Sequence, residues 1–265
     1  MIRQFTDQMN RKIEVYWPPR RIISLVPSQT ELLYDLGLDE EVVGLTKFCV
    51  HPNHWYRKKN RIGGTKSIHI DRIDDLQPDL IIGNKEENTP ADVHQLADRY
   101  PIWLSDIYTL KDAFSMMTQI GALCDRTHKA RALVDTCRQS FAQIPIPERS
   151  LRTLYLIWRK PYMAAASHTF IDAMLSAAGL TNVLREQERY PELSEREIAQ
   201  LRPDLILLSS EPFPFREKHI EALQKIVPDA HIALVDGEVF SWYGSRLQHA
   251  PAYFQRLHQR LGLQD

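Results

Sequence analysis

The chain has 265 residues, with 33 lysines and arginines against 34 aspartates and glutamates, a formal net charge of −1. This length allows one large domain or two of about 100–150 residues each. The near-zero charge argues against a general attraction to nucleic acid or to an anionic membrane. No apolar run approaches the roughly 20 residues that a membrane-spanning helix needs.

The first twelve residues carry four charged side chains and no apolar core of a secretory signal. This pattern predicts a cytoplasmic protein. A periplasmic location is the alternative if the natural start differs or a leader has been trimmed. The three cysteines, Cys49, Cys124 and Cys137, are odd in number and match no zinc framework. They are expected to be reduced, structural thiols.

Short runs of isoleucine, leucine and valine alternate with helical patterns in the first part of the chain. Strands are predicted at Arg21–Val26, Val42–Leu45, Leu80–Gly83 and Ile102–Leu104. Ser28–Glu31 reads as a capping box that opens a helix ending at Gly37. Thr89 and Pro90 predict another helix start, with proline in the first turn. The alternation indicates βαβ units and parallel sheets.

One long helix is predicted over Leu110–Ala142. Apolar residues recur there at helical spacing, and the segment has no proline and one glycine, Gly121. At 1.5 Å per residue such a helix would span about 50 Å. It is therefore predicted to be a rigid connector between two lobes, with Cys124 and Cys137 on the same helix.

The alternating pattern resumes after this segment. Strands are predicted at Thr153–Ile157, Asn182–Leu184, Leu205–Leu208 and Ile232–Val235. Helices are predicted at Phe170–Ala178, after the capping box of Ser194 and Glu197, and at Ala250–Leu261.

An internal repeat indicates a duplicated unit. The stretch LQPDLII at 76–82 matches LRPDLIL at 201–207, and Gly37 and Gly179 each end the helix after the first strand of their half. In each copy a helix stops before a proline, an aspartate lies in the turn and an apolar strand follows. The predicted fold is α/β, with two Rossmann-like lobes of parallel sheet at 1–108 and 145–265, joined by the helix of 109–144, and a ligand cleft between the lobes.

Nucleotide and metal motifs fail on spacing. The stretch RIGGTKS at 61–67 lacks the glycine five positions before Gly64, and Thr65 intervenes before Lys66, so it is not a phosphate-binding loop. Cys49 and His51 are two potential ligands and do not make a metal site. No metal site and no catalytic residue is predicted.

Ligands of α/β sheets gather beyond the carboxyl ends of the strands. At these positions the first lobe offers Ser28, Phe48, Gly64, Thr65, Lys66, Asn84 and Lys85, and the second lobe offers Trp158, Tyr162, Tyr190, Trp242, Tyr243 and Arg246. Aromatic and hydrogen-bonding groups together suit a large, flat, partly apolar ligand.

The segments RIISLVPSQTELLYDLGL at 21–38 and RIGGTKSIHIDRI at 61–73, with the two repeats, resemble the helical-backbone substrate-binding proteins of ABC importers. The resemblance runs from about residue 20 to the end and is greatest to the vitamin B12-binding branch. It implies two lobes joined by one helix, with a cobalamin, ferric siderophore or haem between them.

The resemblance also implies roles for single residues. Phe48, Tyr162 and Tyr190 fall where the B12 binders place aromatic side chains, and Trp242 and Tyr243 lie in the last cleft loop. Thr65 falls where the B12 binder has a tryptophan.

Family members dock on a permease through one acid on each lobe. The first position is Asp71, whereas the second is Arg196, flanked by Glu195 and Glu197. The resemblance thus implies an ABC permease as partner but one docking acid lost. With no signal peptide, it predicts a monomeric cytosolic relative that feeds no importer.

The expected function is a non-enzymatic binding protein for a corrinoid or related metal complex, with no cofactor required, no nucleic acid partner and no membrane insertion. The first alternative is a ferric siderophore, held by Arg159, Lys160 and Arg246 with help from Lys47 and Lys66, or a haem with His168 or Tyr162 as axial ligand. The second is an enzyme acting on such a ligand, with acid–base candidates Glu86, Glu87, Glu211 and His51.

Overall fold

The computed structural model describes residues 1–145, 147 and 149–263. Residues 146, 148, 264 and 265, which fall within or beside the predicted second lobe, lie outside the described residues. The chain forms two compact units. The first comprises Met1–Ile107, Lys111–Arg138 and Tyr243–Gln248, and the second comprises Tyr108–Leu110, Gln139–Trp242 and the chain from His249 onward.

The first unit holds nine strands and most of six helices within the described residues. Its strands are β1 (Ile2–Thr6), β2 (Lys12–Tyr16), β3 (Ile22–Ser24), β4 (Val42–Leu45), β5 (Asn60–Arg61), β6 (Gly63–Gly64), β7 (Ser67–Ile68), β8 (Leu80–Asn84) and β9 (Ile102–Ser105). Its helices are α1 (Pro27–Asp35), α2 (Asn53–Lys58), α3 (Ile70–Leu76), α4 (Pro90–Ala97), α5 (Leu110–Leu123) and α6 (Thr127–Ala142).

The second unit contains the remaining strands and α-helices. Its strands are β10 (Arg152–Trp158), β11 (Tyr162–Ala164), β12 (Thr181–Asn182), β13 (Glu192–Leu193), β14 (Leu205–Ser209) and β15 (His231–Val235). Its helices are α7 (Phe170–Ala177), α8 (Glu195–Leu201), α9 (Glu217–Gln224), α10 (Gly237–Ser241) and α11 (Ala250–Leu261). A 3₁₀ turn, Ser245–His249, precedes α11.

The main sheet of the first unit is fully parallel, in the order β5-β4-β3-β8-β9. Its central strands are continuous apolar runs, and Ile23 and Ile81 are completely buried. Parallel strands covered on both faces by helices have this composition, which is why the short runs predict them correctly. The expected α/β fold class is confirmed.

The second unit repeats this arrangement with additions. Strands β10, β12, β14 and β15 pair in parallel, in the manner of β3, β4, β8 and β9. An antiparallel pair, β11 and β13, extends the sheet from the last residues of β10. Since β11 lies on this antiparallel edge, its residues are not at the carboxyl end of a parallel strand. Their position therefore does not follow from the internal repeat of the sequence.

The two copies of the repeated stretch have the same turn. Gln77 and Arg202 both adopt the left-handed conformation and end α3 and α8. Asp79 accepts the backbone N–H of Arg21 at 2.8 Å, and Asp204 accepts that of Arg152 at 2.9 Å. The turn therefore ties each helix end to the first strand of its sheet by equivalent bonds.

The glycines that end α1 and α7 also correspond. Gly37 and Gly179 have φ values of +78° and +70°, in the region that favours glycine. The N–H of Leu38 bonds to the carbonyl of Leu33, and that of Leu180 bonds to Leu175. Both are Schellman ends, so the predicted helix stops are correct.

The prediction of a single long helix over Leu110–Ala142 is wrong, because the segment forms two helices, α5 and α6. The chain turns between α5 and α6, where Asp125 has a φ of +57° and the N–H of Arg126 bonds to the carbonyl of Gly121 at 2.6 Å. A Cβ on Gly121 would lie only 2.2 Å from the Cβ of Ala130, so the glycine permits this close return. Apolar spacing continues through the turn because both helices bury one face. Consequently Cys124 and Cys137 do not share a helix.

Three further predictions are corrected. The capping box at Ser28 does not form, because α1 begins at Pro27 with Val26 as its N-cap and no side-chain cap. The strand predicted at Asn182–Leu184 is limited to Thr181–Asn182. The antiparallel hairpin of β1 and β2 lies in a polar segment where no strand was predicted.

Most of the segment 109–144, predicted as a separate connector, belongs to the first unit, together with residues 243–248. Among the described residues, no helix combines the length and apolar character needed to cross a membrane.

Candidate functional site

The candidate site in the first unit lies at the carboxyl edge of its parallel sheet. Helix α1 follows β3, the loop of residues 46–49 follows β4, and the turn of residues 84–88 follows β8. This is the edge at which ligands of open α/β sheets bind.

The first turn of α1 has unsatisfied hydrogen-bonding groups. Ser28 is 4% exposed, and its Oγ bonds to no described residue. No described residue accepts from the backbone N–H of Ser28 or Gln29 either. Thr30 instead turns inward and donates from Oγ1 to the carbonyl of Val26 at 2.9 Å. The predicted site residue Ser28 therefore lies on an uncapped helix N-terminus, which attracts negative charge.

The loop after β4 is attached to this turn. The Sγ of Cys49 lies 3.0 Å from Oγ1 of Thr30 and 3.1 Å from Oγ1 of Thr46. Burial raises the pKa of the Cys49 thiol to about 11, so the thiol stays protonated. Its anchoring leaves Phe48 half-exposed, at 50%, with the Nζ of Lys47 5.1 Å from the ring centroid.

The hairpin of β6 and β7 packs against Lys47 and Phe48. The N–H of Lys47 bonds to the carbonyl of Gly63 at 2.8 Å. A Cβ on Gly64 would lie 3.2 Å from Cε2 of Phe48 and 3.4 Å from Cε of Lys47. We call Lys47, Phe48 and Gly64 the aromatic platform. A Cβ at position 64 would therefore require the neighbouring side chains to move by a few tenths of an ångström.

The other predicted residues of this edge divide into two groups. Thr65 and Lys66 form the tip between β6 and β7, and the carbonyl of Thr65 accepts from Nδ2 of Asn88 at 3.0 Å. Asn84 is buried, and its side-chain amide bonds to Ser105 and to backbone N–H groups of its own turn. Lys85 forms an ion pair with Asp106 at 2.8 Å. The amide of Asn84 thus shapes the turn and is committed to it.

Residues Tyr243–Gln248 return to the first unit beside α1. A Cβ on Gly244 would lie 2.8 Å from the carbonyl oxygen of Ser28. Arg246, predicted to bind ligand, forms two 2.8 Å bonds to the carboxylate of Glu31. Tyr243 and Ser245 are buried. Arg246 therefore secures this segment to α1.

In the second unit, the predicted aromatic residues have different environments. Trp158 is partly exposed at the end of β10 and packs edge-on against Phe213, with 5.6 Å between ring centroids. Tyr162, in contrast, is 8% exposed and belongs to the hydrophobic core. The structure therefore presents Trp158 and removes Tyr162 from the surface, because β11 turns back on β10.

Trp242 is also buried. Its indole bonds to Glu211, which was not among the predicted ligand-binding residues. Its Nε1 donates to Oε1 of Glu211 at 2.9 Å, and Ser241 Oγ donates to the same oxygen at 2.8 Å. Burial raises the pKa of Glu211. Glu211 was predicted only as an acid–base candidate, because no pattern in the sequence links it to a tryptophan 31 residues away.

Tyr190 lies beside a constrained arginine. The guanidinium of Arg189 is 5.4 Å from the ring centroids of both Tyr108 and Tyr190. Arg189 has a φ of +64° and its Nη1 donates to the carbonyl of His168, which has a φ of +54°. Strained backbone of this kind is common at binding sites.

The positions compared with permease-docking acids lie on equivalent helices. His69 and Ser194 are the N-caps of α3 and α8, so Asp71 and Arg196 occupy the same helical position. Glu197 completes the capping box with Ser194, and these hydrogen bonds lower its pKa. Glu195 and Glu197 lie one residue to either side of this position, and docking through any of these residues stays a prediction.

The acid–base candidates Glu86, Glu87, Glu211 and His51 are not part of a metal-binding cluster in the described part of the chain. Among the described residues, no group of three histidine, cysteine, aspartate or glutamate side chains could hold a metal ion.

The profile of the periplasmic binding protein family matches residues 22–230, which is most of the chain. The chain belongs to this family. The matched span contains both copies of the repeated stretch, the aromatic platform and Glu211.

Two relatives illustrate the range of the family. The vitamin B12-binding protein of Pectobacterium carotovorum is 24% identical over 204 residues, 74% of each chain. An uncharacterized ABC transporter substrate-binding lipoprotein of Bacillus subtilis is 24% identical over 215 residues, covering 76% of this chain and 67% of the relative.

Solved structures with the same fold include a vitamin B12-binding protein, a heme-binding protein and a protein of an Fe3+-hydroxamate transport system. The periplasmic vitamin B12-binding protein of Vibrio cholerae has a TM-score of 0.75 at 21% identity, over 93% of this chain and 99% of that one. A periplasmic heme-binding protein from Roseiflexus sp. RS-1 has a TM-score of 0.76 at 20% identity, over 91% and 98%. An Fe3+-hydroxamate transport protein from Saccharomonospora viridis has a TM-score of 0.75 at 20% identity, over 98% and 99%.

The predicted resemblance to importer substrate-binding proteins is confirmed by these comparisons. They give no support to the cytoplasmic location, since the family is named for the periplasm and one relative is a lipoprotein. The location of this chain stays a prediction.

Proposed function

We propose that this protein binds a corrinoid or a related metal complex without altering it chemically. The observation that carries the proposal is the aromatic platform, a half-exposed phenylalanine held against a glycine backbone at the carboxyl edge of a parallel sheet. Its family membership and the B12-binding relative support the same assignment.

Stacking and apolar burial would provide most of the binding free energy. A tetrapyrrole face placed on Phe48 removes apolar area from water, worth about 25 cal/mol per Å². The loop that carries the ring is anchored because Cys49, the next residue, is bonded to two threonines. A pre-positioned ring loses little conformational entropy on binding, which favours affinity.

A haem or a ferric siderophore is the second candidate ligand. For haem, the structure leaves His168 as the candidate axial ligand, since Tyr162 is in the core. The Nδ1 of His168 lies 3.2 Å from Glu188, an arrangement that orients a ligating imidazole. The heme-binding fold neighbours support this alternative.

A role as substrate-binding component for an ABC permease is part of the proposal. Asp71 is exposed in the first turn of α3, whereas Arg196 occupies the corresponding place on α8. The cargo would be the metal complex itself, and no resident cofactor is required.

The proposal is tested by titrating the purified chain with cyanocobalamin, dicyanocobinamide and haemin, with absorbance and tryptophan fluorescence as readouts. At least one should bind with a Kd in the micromolar range or tighter, about −8 kcal/mol. Phe48→Ala should weaken that affinity about tenfold, which corresponds to the loss of one stacked aromatic ring.

Val50→Ala is the matched control, because Val50 is an exposed apolar side chain of the same loop. It should leave the Kd unchanged. Binding of all three probes weaker than about millimolar would refute the proposal. If Phe48→Ala and Val50→Ala weaken ligand affinity equally, the ligand does not stack on the aromatic platform. Substrate-like conversion of a bound probe, followed by mass spectrometry, would refute the non-enzymatic assignment.

A further inference from the structure

The loop and hairpin that form the aromatic platform belong to a strongly basic part of a nearly neutral chain. Residues 42–70 contain six lysines and arginines and no aspartate or glutamate. Lys59 is committed to Asp39, at 3.7 Å. Lys47 and Lys66, in contrast, have no carboxylate partner among the residues that the structure describes. The platform side of the edge is therefore positively charged.

The neighbouring N-terminus of α1 offers hydrogen-bond donors. The positive end of the dipole of this nine-residue helix lies here, and the N–H groups of Ser28 and Gln29 have no acceptor among the described residues. The hydroxyls of Ser28 and Ser245 are buried without a described partner. Gly244 packs on the carbonyl of Ser28, and this contact brings the next residue, Ser245, close to the first turn of α1.

These two features are connected. Cys49, the residue after Phe48, is bonded to Thr30 in the first turns of α1, so the platform loop is attached to the N-terminal part of this helix. A buried hydroxyl with no partner costs about 1–3 kcal/mol of stability. This loss of stability is explained if the hydroxyl donates a hydrogen bond to a bound ligand at this sheet edge.

We infer that this edge recognises an anionic substituent, a phosphate or a carboxylate, on the bound metal complex, with Ser28 and the α1 N-terminus donating to it and Lys47 balancing its charge. The inference rests on the proposed function and specifies its ligand. It favours metal complexes that carry a free anionic group over those that lack one.

Two nearby groups are outside this anion site. Gln29 donates from Nε2 to Ser105, and its Oε1 requires a donor, so it does not face an anion. Glu87 is close enough to contribute to the raised pKa of Cys49. Its negative charge therefore lowers the positive electrostatic potential beside the platform. Glu87→Gln should therefore strengthen binding of an anionic ligand.

Two pairs of probes test the inference on the full chain. Cyanocobalamin carries a phosphodiester that dicyanocobinamide lacks, and haemin carries two carboxylates that its dimethyl ester masks. In whichever pair binds, the anionic member should bind about tenfold more tightly, as expected for charge-assisted hydrogen bonds. The pair that responds distinguishes phosphate from carboxylate.

Variants locate the effect. Ser28→Ala should weaken the anionic member by about tenfold and leave its partner probe within about twofold. Lys47→Gln should weaken it by about threefold, and this loss should shrink at high salt, since Lys47 is exposed. Lys58→Gln is the control, because Lys58 is an exposed lysine of the same basic stretch but lies on α2.

Ser28→Ala should also unfold at the same or a higher temperature than the parent chain, because it removes an unsatisfied hydroxyl. A weaker ligand affinity in a protein of undiminished stability separates ligand recognition from a structural role. Equal affinity for both members of each binding pair, unchanged by Ser28→Ala and Lys47→Gln, would overturn the inference and leave the proposed function standing. Failure of every probe to bind would overturn both.

Discussion

Replacing Arg246 by alanine should destabilise the first unit and release the segment Tyr243–Gln248 from α1. The guanidinium donates from Nε and Nη2 to the two carboxylate oxygens of Glu31, both at 2.8 Å. Each of the two side chains is only 17% exposed. This bidentate geometry is the strongest form of arginine–carboxylate pairing.

The expected magnitude follows from this burial. At an effective dielectric constant of about 20, charges about 4 Å apart attract by roughly 4 kcal/mol. Desolvation offsets part of this, but removal of one partner leaves the other charge unpaired, at a cost of about 3–5 kcal/mol in a fully buried pair. Because water reaches both side chains, we expect Arg246→Ala to lower the free energy of unfolding by about 2–3 kcal/mol.

The measurement is urea denaturation followed by circular dichroism, with a double-mutant cycle between Arg246 and Glu31. The coupling energy should be about 2 kcal/mol, and Arg246→Lys should recover part of it, since lysine keeps the charge and loses the fork. Arg99→Ala is the matched control, because Arg99 pairs with Asp74 in an exposed position.

The control variant should cost less than about 1 kcal/mol. If Arg246→Ala and Arg99→Ala cost the same, or if the coupling energy is below about 0.5 kcal/mol, the attachment of this segment does not depend on the ion pair.

Two further predictions concern titratable groups. Burial raises the pKa of Glu211 from its ordinary value of 4.5, so the unfolded chain releases this proton first and stability falls as pH rises from 4.5 through the raised folded value. Glu211→Gln should therefore gain in melting temperature relative to the parent between about pH 4 and pH 8, and a constant difference would refute this. Burial also raises the pKa of Cys49 and of Cys137 to about 11. Ellman's reagent at about pH 8 should label the folded chain far more slowly than the denatured chain, and rapid release of thiol from folded protein would contradict this.

Substitutions at the platform and at the docking positions address different levels of function. Under the proposed function, Phe48 and Ser28 contact the ligand, whereas Asp71 and Arg196 lie at the positions expected to dock on a permease. Arg196 occupies on α8 the helical position that Asp71 occupies on α3. If the proposal holds, substitutions at the two places should change ligand affinity and partner recognition independently.

Sequence patterns located most of the strands and the helix ends because these depend on local chemistry. The N–H of the residue after Gly37 or Gly179 bonds to a carbonyl five residues earlier, so each helix end depends on neighbours that can be read along the chain. The exposed Phe48 was found in the same way, since its position after β4 places it at the carboxyl edge.

Predictions that depended on contacts between distant residues were less successful. The break between α5 and α6 requires Gly121 to approach Ala130, and the apolar pattern carries no sign of it. Tyr162 looks like a surface aromatic after a strand but lies in the core, because β11 folds back antiparallel to β10.

The sequence by itself determined the α/β class, the duplicated unit and the sheet edge at which we expect a ligand, because strand runs and glycines with positive φ act over a few residues. Only the tertiary structure decided which side chains remain available at that edge. Arg246 is committed to Glu31 and Asn84 to its own turn, while Ser28 is left with a buried hydroxyl that no described residue bonds. These outcomes depend on which distant groups meet, and such meetings follow from packing, which spacing along the chain does not encode.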